Sequence, residues 1–293
     1  MTRTLTALCI AAAAGTTLAQ DTITVPDDFP TLQDALAPAV SGIDPGDTIV
    51  LRDSITHFGT FDVTVPDLTI EAAAGDSPVL DANGAGSVIK VDFADGDLIL
   101  VGLTIQDGSG VGNGDRGSGI EVDSAGRIRV RGCVIRDNAA SDGGGMFGSD
   151  VSFVIDDSIF VGNAARDGGA IRNQGDSPVT IRNSQFIDNT ASRDGGALSY
   201  NGDGRRRVRI EDSVFEGNAA NDRGGALNVR NADEFVIERT IFAANTAIGG
   251  SGSDAGAIIK DTVEDGTVAD SEFVGNLANG EGGAILSLLD TGG

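Results

Sequence analysis

Apolar and polar residues alternate along most of this chain in runs of only three to five positions, each closed by Gly, Asn or Asp. Runs that short predict strands rather than helices. The runs also repeat. Aligned on one asparagine, Cys133-Val134-Ile135-Arg136-Asp137-Asn138 is followed by five copies ending at Asn163, Asn189, Asn218, Asn245 and Asn276, spaced 25, 26, 29, 27 and 31 residues apart. Four of the copies begin with Ser (158, 184, 213, 271) and one with Thr240, and all five place a Phe three residues before the Asn: Phe160, Phe186, Phe215, Phe242 and Phe273. A small residue stands two positions after each Asn, from Ala140 to Ala278. A glycine pair then leads into an apolar residue, as in Gly168-Gly169-Ala170-Ile171, Gly195-Gly196-Ala197-Leu198, Gly224-Gly225-Ala226-Leu227 and Gly282-Gly283-Ala284-Ile285. Gly143 to Met146 and Ala255 to Ile258 are degraded copies. Upstream of each Phe lies an alternating run such as Phe153-Val154-Ile155 or Val208-Arg209-Ile210.

A unit of three short strands cannot bury its own apolar face, so the copies must stack on one another. Stacked three-stranded coils give three parallel sheets around one elongated core, an all-β parallel β-helix of about nine coils spaced about 4.8 Å apart. In that arrangement the Phe residues form an internal ladder, continued by Ile135 and Ile105. The Asn side chains pass amide hydrogen bonds from coil to coil, and Asn also suits a left-handed bend. Gly-Gly gives positive φ and removes a Cβ where chains approach. The looser segment 20–97 reads as an N-terminal cap and irregular coils, and 98–293 as regular coils of the same domain. Within 20–97, Thr31 to Ala37 predicts a short helix capped by Thr31 and closed by Pro38, placed to cover the end of the first coil.

The first 19 residues read as a signal peptide. Arg3 precedes an apolar stretch from Leu5 to Ala14, with small residues before a cleavage point after Ala19. Ten apolar residues are too few to span a bilayer, so the expectation is a secreted or cell-surface protein. Cys9 leaves with that peptide, and Cys133, in a slot held elsewhere by Ser or Thr, has no disulfide partner. Acidic side chains number 44 against 20 basic ones, a formal charge of −24, which excludes a nucleic-acid binder.

The Gly-Gly-Ala-Ile/Leu and Phe-x-x-Asn motifs resemble the repeats of polymorphic outer-membrane proteins, surface-exposed right-handed β-helix passengers. The opening Val25-Pro26-Asp27-Asp28-Phe29-Pro30-Thr31-Leu32 is similar to the N-terminal cap of pectin-lyase-like β-helix proteins. The resemblance implies a right-handed β-helix displayed at a surface, with an extracellular glycan or surface protein as partner. The resemblance covers about residues 22–285 and does not extend to the membrane barrel that ends polymorphic outer-membrane proteins. Polysaccharide cleavage by a lyase or glycoside hydrolase is the alternative, but the Gly-His-Gly and Arg-x-Lys motifs of polygalacturonase-like enzymes are missing, as is Trp for a sugar platform.

No residue is therefore assigned as catalytic, cofactor-binding or metal-ligating, and the expected role is structural or adhesive. Four features still carry chemistry. Asp142, Asp167, Asp194, Asp222, Asp254 and Glu281 form an acidic row ahead of the glycine pairs, read as a mixed-charge ladder with neighbouring arginines, Ca²⁺ binding being the alternative. Arg205, Arg206, Arg207 and Arg209 follow Tyr200 in a lengthened loop and are expected to pair with Asp176, Asp233 or Glu234. His57, the one histidine, is expected on an exposed loop. The apolar strand Ala284 to Leu289, near the end of the chain, is expected to present an open edge for end-to-end self-association.

Overall fold

The computed structural model describes residues 20–110, 116–123, 126–203, 206–250, 253–263 and 265–288. The signal-peptide segment 1–19, Arg205 and Leu289 lie outside them. The chain winds into a right-handed parallel β-solenoid of about nine turns. Sheet 1 has ten strands, from Thr22–Val25 to Asp265–Ala269; sheet 2 has nine, from Thr56–Phe58 to Glu272–Val274; sheet 3 has nine, from Phe61–Val63 to Ile285–Leu288. Every strand pairs in parallel with its equivalent in the next coil, so one register fixes all inward positions. The three-strand frame expected from the repeat is therefore present. From Ala164 onward each coil adds a fourth short strand, giving sheet 4, from Ala164–Asp167 to Leu277–Ala278.

Three internal rows carry the packing. Phe160, Phe186, Phe215, Phe242 and Phe273 stack with ring centroids 4.7 to 5.0 Å apart and planes within 10° of parallel, the spacing that coil rise imposes. Ile135, Ile105 and Leu80 continue the column toward the N-terminus. In the second row, each Asn from 138 to 245 donates its Nδ2 to the Oδ1 of the next at 2.9 to 3.0 Å, and that same oxygen accepts the donor residue's backbone N–H. Asn138 to Asn245 are fully buried. The left-handed bend falls one residue earlier than expected, on Asp137, Gly162, Asp188, Gly217, Ala244 and Gly275. Turning there leaves the Asn free to aim its amide along the stack.

The third row runs Cys133, Ser158, Ser184, Ser213, Thr240 and Ser271. Each hydroxyl donates to the carbonyl two residues back, as in Ser184 Oγ to Arg182 O at 2.6 Å, and the four serines also accept an N–H from the preceding coil, as in Ser158 N–H to Ser184 Oγ at 3.1 Å. Cys133 fits the same slot, buried, with its thiol pushed up to about 11 by desolvation.

Near the N-terminus a one-turn helix spans Leu32–Ala35, Thr31 accepting the Asp34 N–H at 3.1 Å, with Leu32 and Ala35 in the core. Pro38 opens a second one-turn helix, Pro38–Ser41, instead of closing the first, because the first helical position needs no N–H. No helix among the described residues is long and apolar enough to cross a membrane.

Candidate binding groove

The outward row of sheet 3 changes character along the solenoid. Its register partners run Asp62, Lys90, Glu121, Phe147, Arg172, Ser199, Asn228, Ile259 and Leu286. Phe147, Ser199, Asn228 and Ile259 are buried although they face away from the solenoid core, because the glycine-paired segment of each coil folds back over them. The fold-back is close. A Cβ at Gly168 would lie 2.0 Å from the Ile171 carbonyl oxygen, and one at Gly169 would lie 2.2 Å from that of Gly196. Before Gly143 the sequence has no glycine pair; Gly117 makes a similar approach, 2.4 Å from the Ile120 carbonyl oxygen, beside largely covered Glu121, and the row is exposed at Asp62 and partly at Lys90. The guanidinium of Arg116, 5.2 Å from the centre of the Phe147 ring, marks the boundary.

The uncovered stretch forms a groove of about 600 Å³ whose charged lining is Asp62, Lys90, Asp92, Glu121 and Asp123, with half-buried Phe93 against one wall. Glu121 is fixed: its carboxylate accepts from Ser87 Oγ at 2.9 Å and from the Arg116 N–H at 3.0 Å, and lies 3.7 Å from Lys90 Nζ. Asp62, Asp92 and Asp123 are exposed. Four carboxylates thus face one amine on a floor whose backbone groups are already engaged in the parallel ladder. Such a surface can recognise a ligand only through side chains. It suits a string of hydroxyl or amine donors.

The acidic row expected from the repeat is built differently. The position ahead of the glycine pair in the fourth coil is Arg223, not Asp222, so the aligned order is Asp142, Asp167, Asp194, Arg223, Asp254. Register follows the glycine pair, and Asp222 stands one residue too early. Asp167 is bound by Arg193, with Arg166 Nε 3.5 Å away, and Asp194 lies 3.1 Å from Arg230. Burial raises Asp142 and Asp194 above the ordinary carboxylate range and lowers Arg172. No three His, Cys, Asp or Glu side chains are grouped to hold a metal ion among the described residues.

The arginine cluster pairs across coils as expected, Arg206 with Asp176 at 2.8 Å and Arg207 with Glu234 at 2.6 Å, while Arg209 joins Glu211 at 2.7 Å. Tyr200 is not a loop residue: it is fully buried in the sheet 3 strand Leu198–Asn201. His57 is likewise inside. It occupies the inward register position opposite Leu80, with Nε2 3.0 Å from Asp53 Oδ1, and it is Phe58 that is 70% exposed.

Residues 59–242 match the family model of the right handed beta helix region, more than half of the chain. The chain belongs to the right-handed β-helix family. A second match within this β-helix, at residues 270–288, is to the Chlamydia polymorphic membrane protein repeat. No curated protein matches. Among solved structures, a mannuronic acid specific polysaccharide family 6 lyase from human gut microbiota aligns at 16% identity and a TM-score of 0.49, covering 89% of this chain, which spans 61% of that enzyme's length. PfbA, a surface adhesin of Streptococcus pneumoniae, aligns at 10% identity and a TM-score of 0.37, with 89% and 92% covered.

The groove residues carry no motif, and reading the β-helix repeat alone misses them. One signal was available. Phe61-Asp62-Val63, Ile89-Lys90-Val91 and Ile120-Glu121-Val122 share an in-out-in pattern with a charged centre, and all precede the first glycine pair.

Proposed function

We propose that this β-helix is an extracellular or surface protein that holds an extended glycan in the groove over Asp62, Lys90 and Glu121, with an adhesive rather than catalytic role. The observation that carries the reading is an exposed, charged stretch: Asp62, Asp92 and Asp123 stand exposed around Lys90 in the groove, whereas Phe147, Ser199, Asn228 and Ile259 farther along the outward row of sheet 3 are buried. The polymorphic membrane protein repeat at 270–288 supports the surface placement, as does the signal-like segment 1–19. Glycan-array binding of the purified chain, compared with an Asp92→Asn/Asp123→Asn double variant, tests it. Retention of a glycan by the parent and its loss in the variant is the expected result; no retained glycan, or equal retention by both, would sink the groove reading.

Polysaccharide cleavage is the second reading, and one observation favours it. Lys90, held in its charged form by a carboxylate 3.7 Å away, puts an ammonium inside the groove, where it would neutralise the substrate carboxyl group beside which a proton is abstracted. Release of unsaturated uronate products by the parent and not by Lys90→Ala would establish it.

A further inference from the structure

We infer that the groove selects a glycan carrying protonated amines, a de-N-acetylated hexosamine chain, over acidic or neutral glycans. The inference rests on the groove reading above and adds the ligand's charge. Among the described residues the lining has five charged side chains, four carboxylates and Lys90. Glu121 is 12% exposed and engages Lys90, which is 40% exposed, so an incoming chain meets the exposed carboxylates of Asp62, Asp92 and Asp123 and one amine already paired with a carboxylate. They lie in a field of the same sign, since the whole protein carries −24. A groove of like charge inside a like-charged molecule focuses that potential, drawing cations in and holding a polyuronate off.

Geometry favours a glycan over a basic peptide. The floor strands Ile89–Val91 and Ile120–Val122 are paired on both sides and Phe61–Val63 ends the sheet, so an extended peptide could add a strand only beyond Phe61–Val63 and not on the groove floor itself. What the floor offers is one polar side chain per coil, repeating at the coil spacing of about 4.8 Å, close to the advance of one β-linked sugar. Phe93 supplies an apolar wall for a sugar ring beside the carboxylates.

The test is calorimetric titration of the purified chain with a glucosamine hexamer, its fully N-acetylated counterpart, an oligogalacturonate of the same length and hexalysine. Three proteins are compared: parent, Asp92→Asn/Asp123→Asn, and Glu216→Gln as a remote exposed control, all checked for unchanged melting. The expected result is that the glucosamine hexamer binds the parent at least roughly tenfold more tightly than the other three probes. Its affinity should fall with added salt, drop roughly tenfold in the double variant, and stay unchanged in Glu216→Gln. Equal or tighter binding of the acetylated or uronate probe, sensitive to the double variant, overturns the charge assignment while leaving the groove in place. Hexalysine binding as tightly with the same sensitivity overturns the glycan assignment. Glucosamine binding that ignores the double variant, or weakens equally in Glu216→Gln, reduces the effect to diffuse surface attraction and overturns the inference; binding of no probe at all removes the groove reading with it.

Discussion

Replacing Asn189 by Ala deletes the central link of the asparagine row. The side chain accepts from the Asn163 N–H at 3.1 Å and from Asn163 Nδ2 at 3.0 Å, and donates to Phe160 O and Asn218 Oδ1, both at 3.0 Å. Two donors of Asn163 are then left without that oxygen in a residue that is fully buried. An orphaned buried polar group costs about 1 to 3 kcal/mol, so the pair predicts a loss of about 2 to 6 kcal/mol, a large share of a stability that is commonly about 5 to 15. A water trapped in the vacated space would bring the figure to the lower end. Asn189→Asp should be worse than Asn189→Ala, since it keeps the acceptor but points a second oxygen, charged or protonated, at two acceptors. Asn279→Ala is the control: its Nδ2 donates to Ile248 O at 2.8 Å on an exposed turn, and the change should stay within about 0.5 kcal/mol. Urea unfolding gives the magnitude, and hydrogen exchange gives the location, because coils in a solenoid touch only their neighbours and the loss should concentrate between Ile135 and Asn218. A loss under about 1 kcal/mol, with the Asn163 amide still protected, would refute the claim that this row holds the coils in register.

Phe215→Ala removes a ring stacked 4.7 and 5.0 Å from its neighbours and should cost about 3 to 5 kcal/mol, read as new protease cleavage in the coils on either side of it. Glu211 is held at about 2, chiefly by the hydrogen bond from Arg209 and then by Arg182. Its contribution is therefore complete above about 4.5 and disappears as pH falls toward about 2. Melting curves of Glu211→Gln should lose that part of the acid dependence, and an unchanged slope would show that the ion pair contributes nothing to folding. Cys133, with its thiol near 11 and no exposure, should react with a thiol reagent at pH 8 only after unfolding; rapid labelling of the native chain would place it outside the third row.

The repeat made the architecture legible because six copies each state the same inward position. Where copies are few, residue type misleads. The sequence Thr56-His57-Phe58 invites burial of the Phe, yet register with Val79-Leu80-Asp81 turns His57 inward and leaves Phe58 outside. The left-handed bend and the amide ladder both suit asparagine, and spacing cannot separate two roles one residue apart; only the structure puts the bend on Asp137 and its equivalents. Sheet 4 was hidden because Ala219–Ala220 and Thr246–Ala247 are only two residues long and the longer Thr190–Asp194 does not alternate in burial. Tyr200 was read from the loop that follows it rather than from its own pairing with Asn173 and Val229.

The groove was invisible for a different reason: it is made by what the early coils lack. A glycine pair lets a segment fold onto sheet 3, since the backbone comes within 2.0 to 2.5 Å of where a Cβ would sit, and only residues without side chains allow that approach. Under the fold-back the outward row holds Phe147, Ser199, Asn228 and Ile259 buried, and Arg172 half-buried beside Asp142 and Asp167. At the open end the same register position is solvated at Asp62 and partly at Lys90, while Glu121, 12% exposed, is held by Ser87 and the Arg116 N–H. Regularity and function are then separated along one axis. The coils with complete motifs supply rigidity through the row that pairs the buried amides of Asn138 to Asn245, and the incomplete coils upstream share their register, so the groove floor inherits fixed spacing from ladders to which it contributes no asparagine of its own. A ligand that reads spacing, one contact per coil, meets the least entropic penalty on such a floor, because the side chains it meets are already held at the coil repeat.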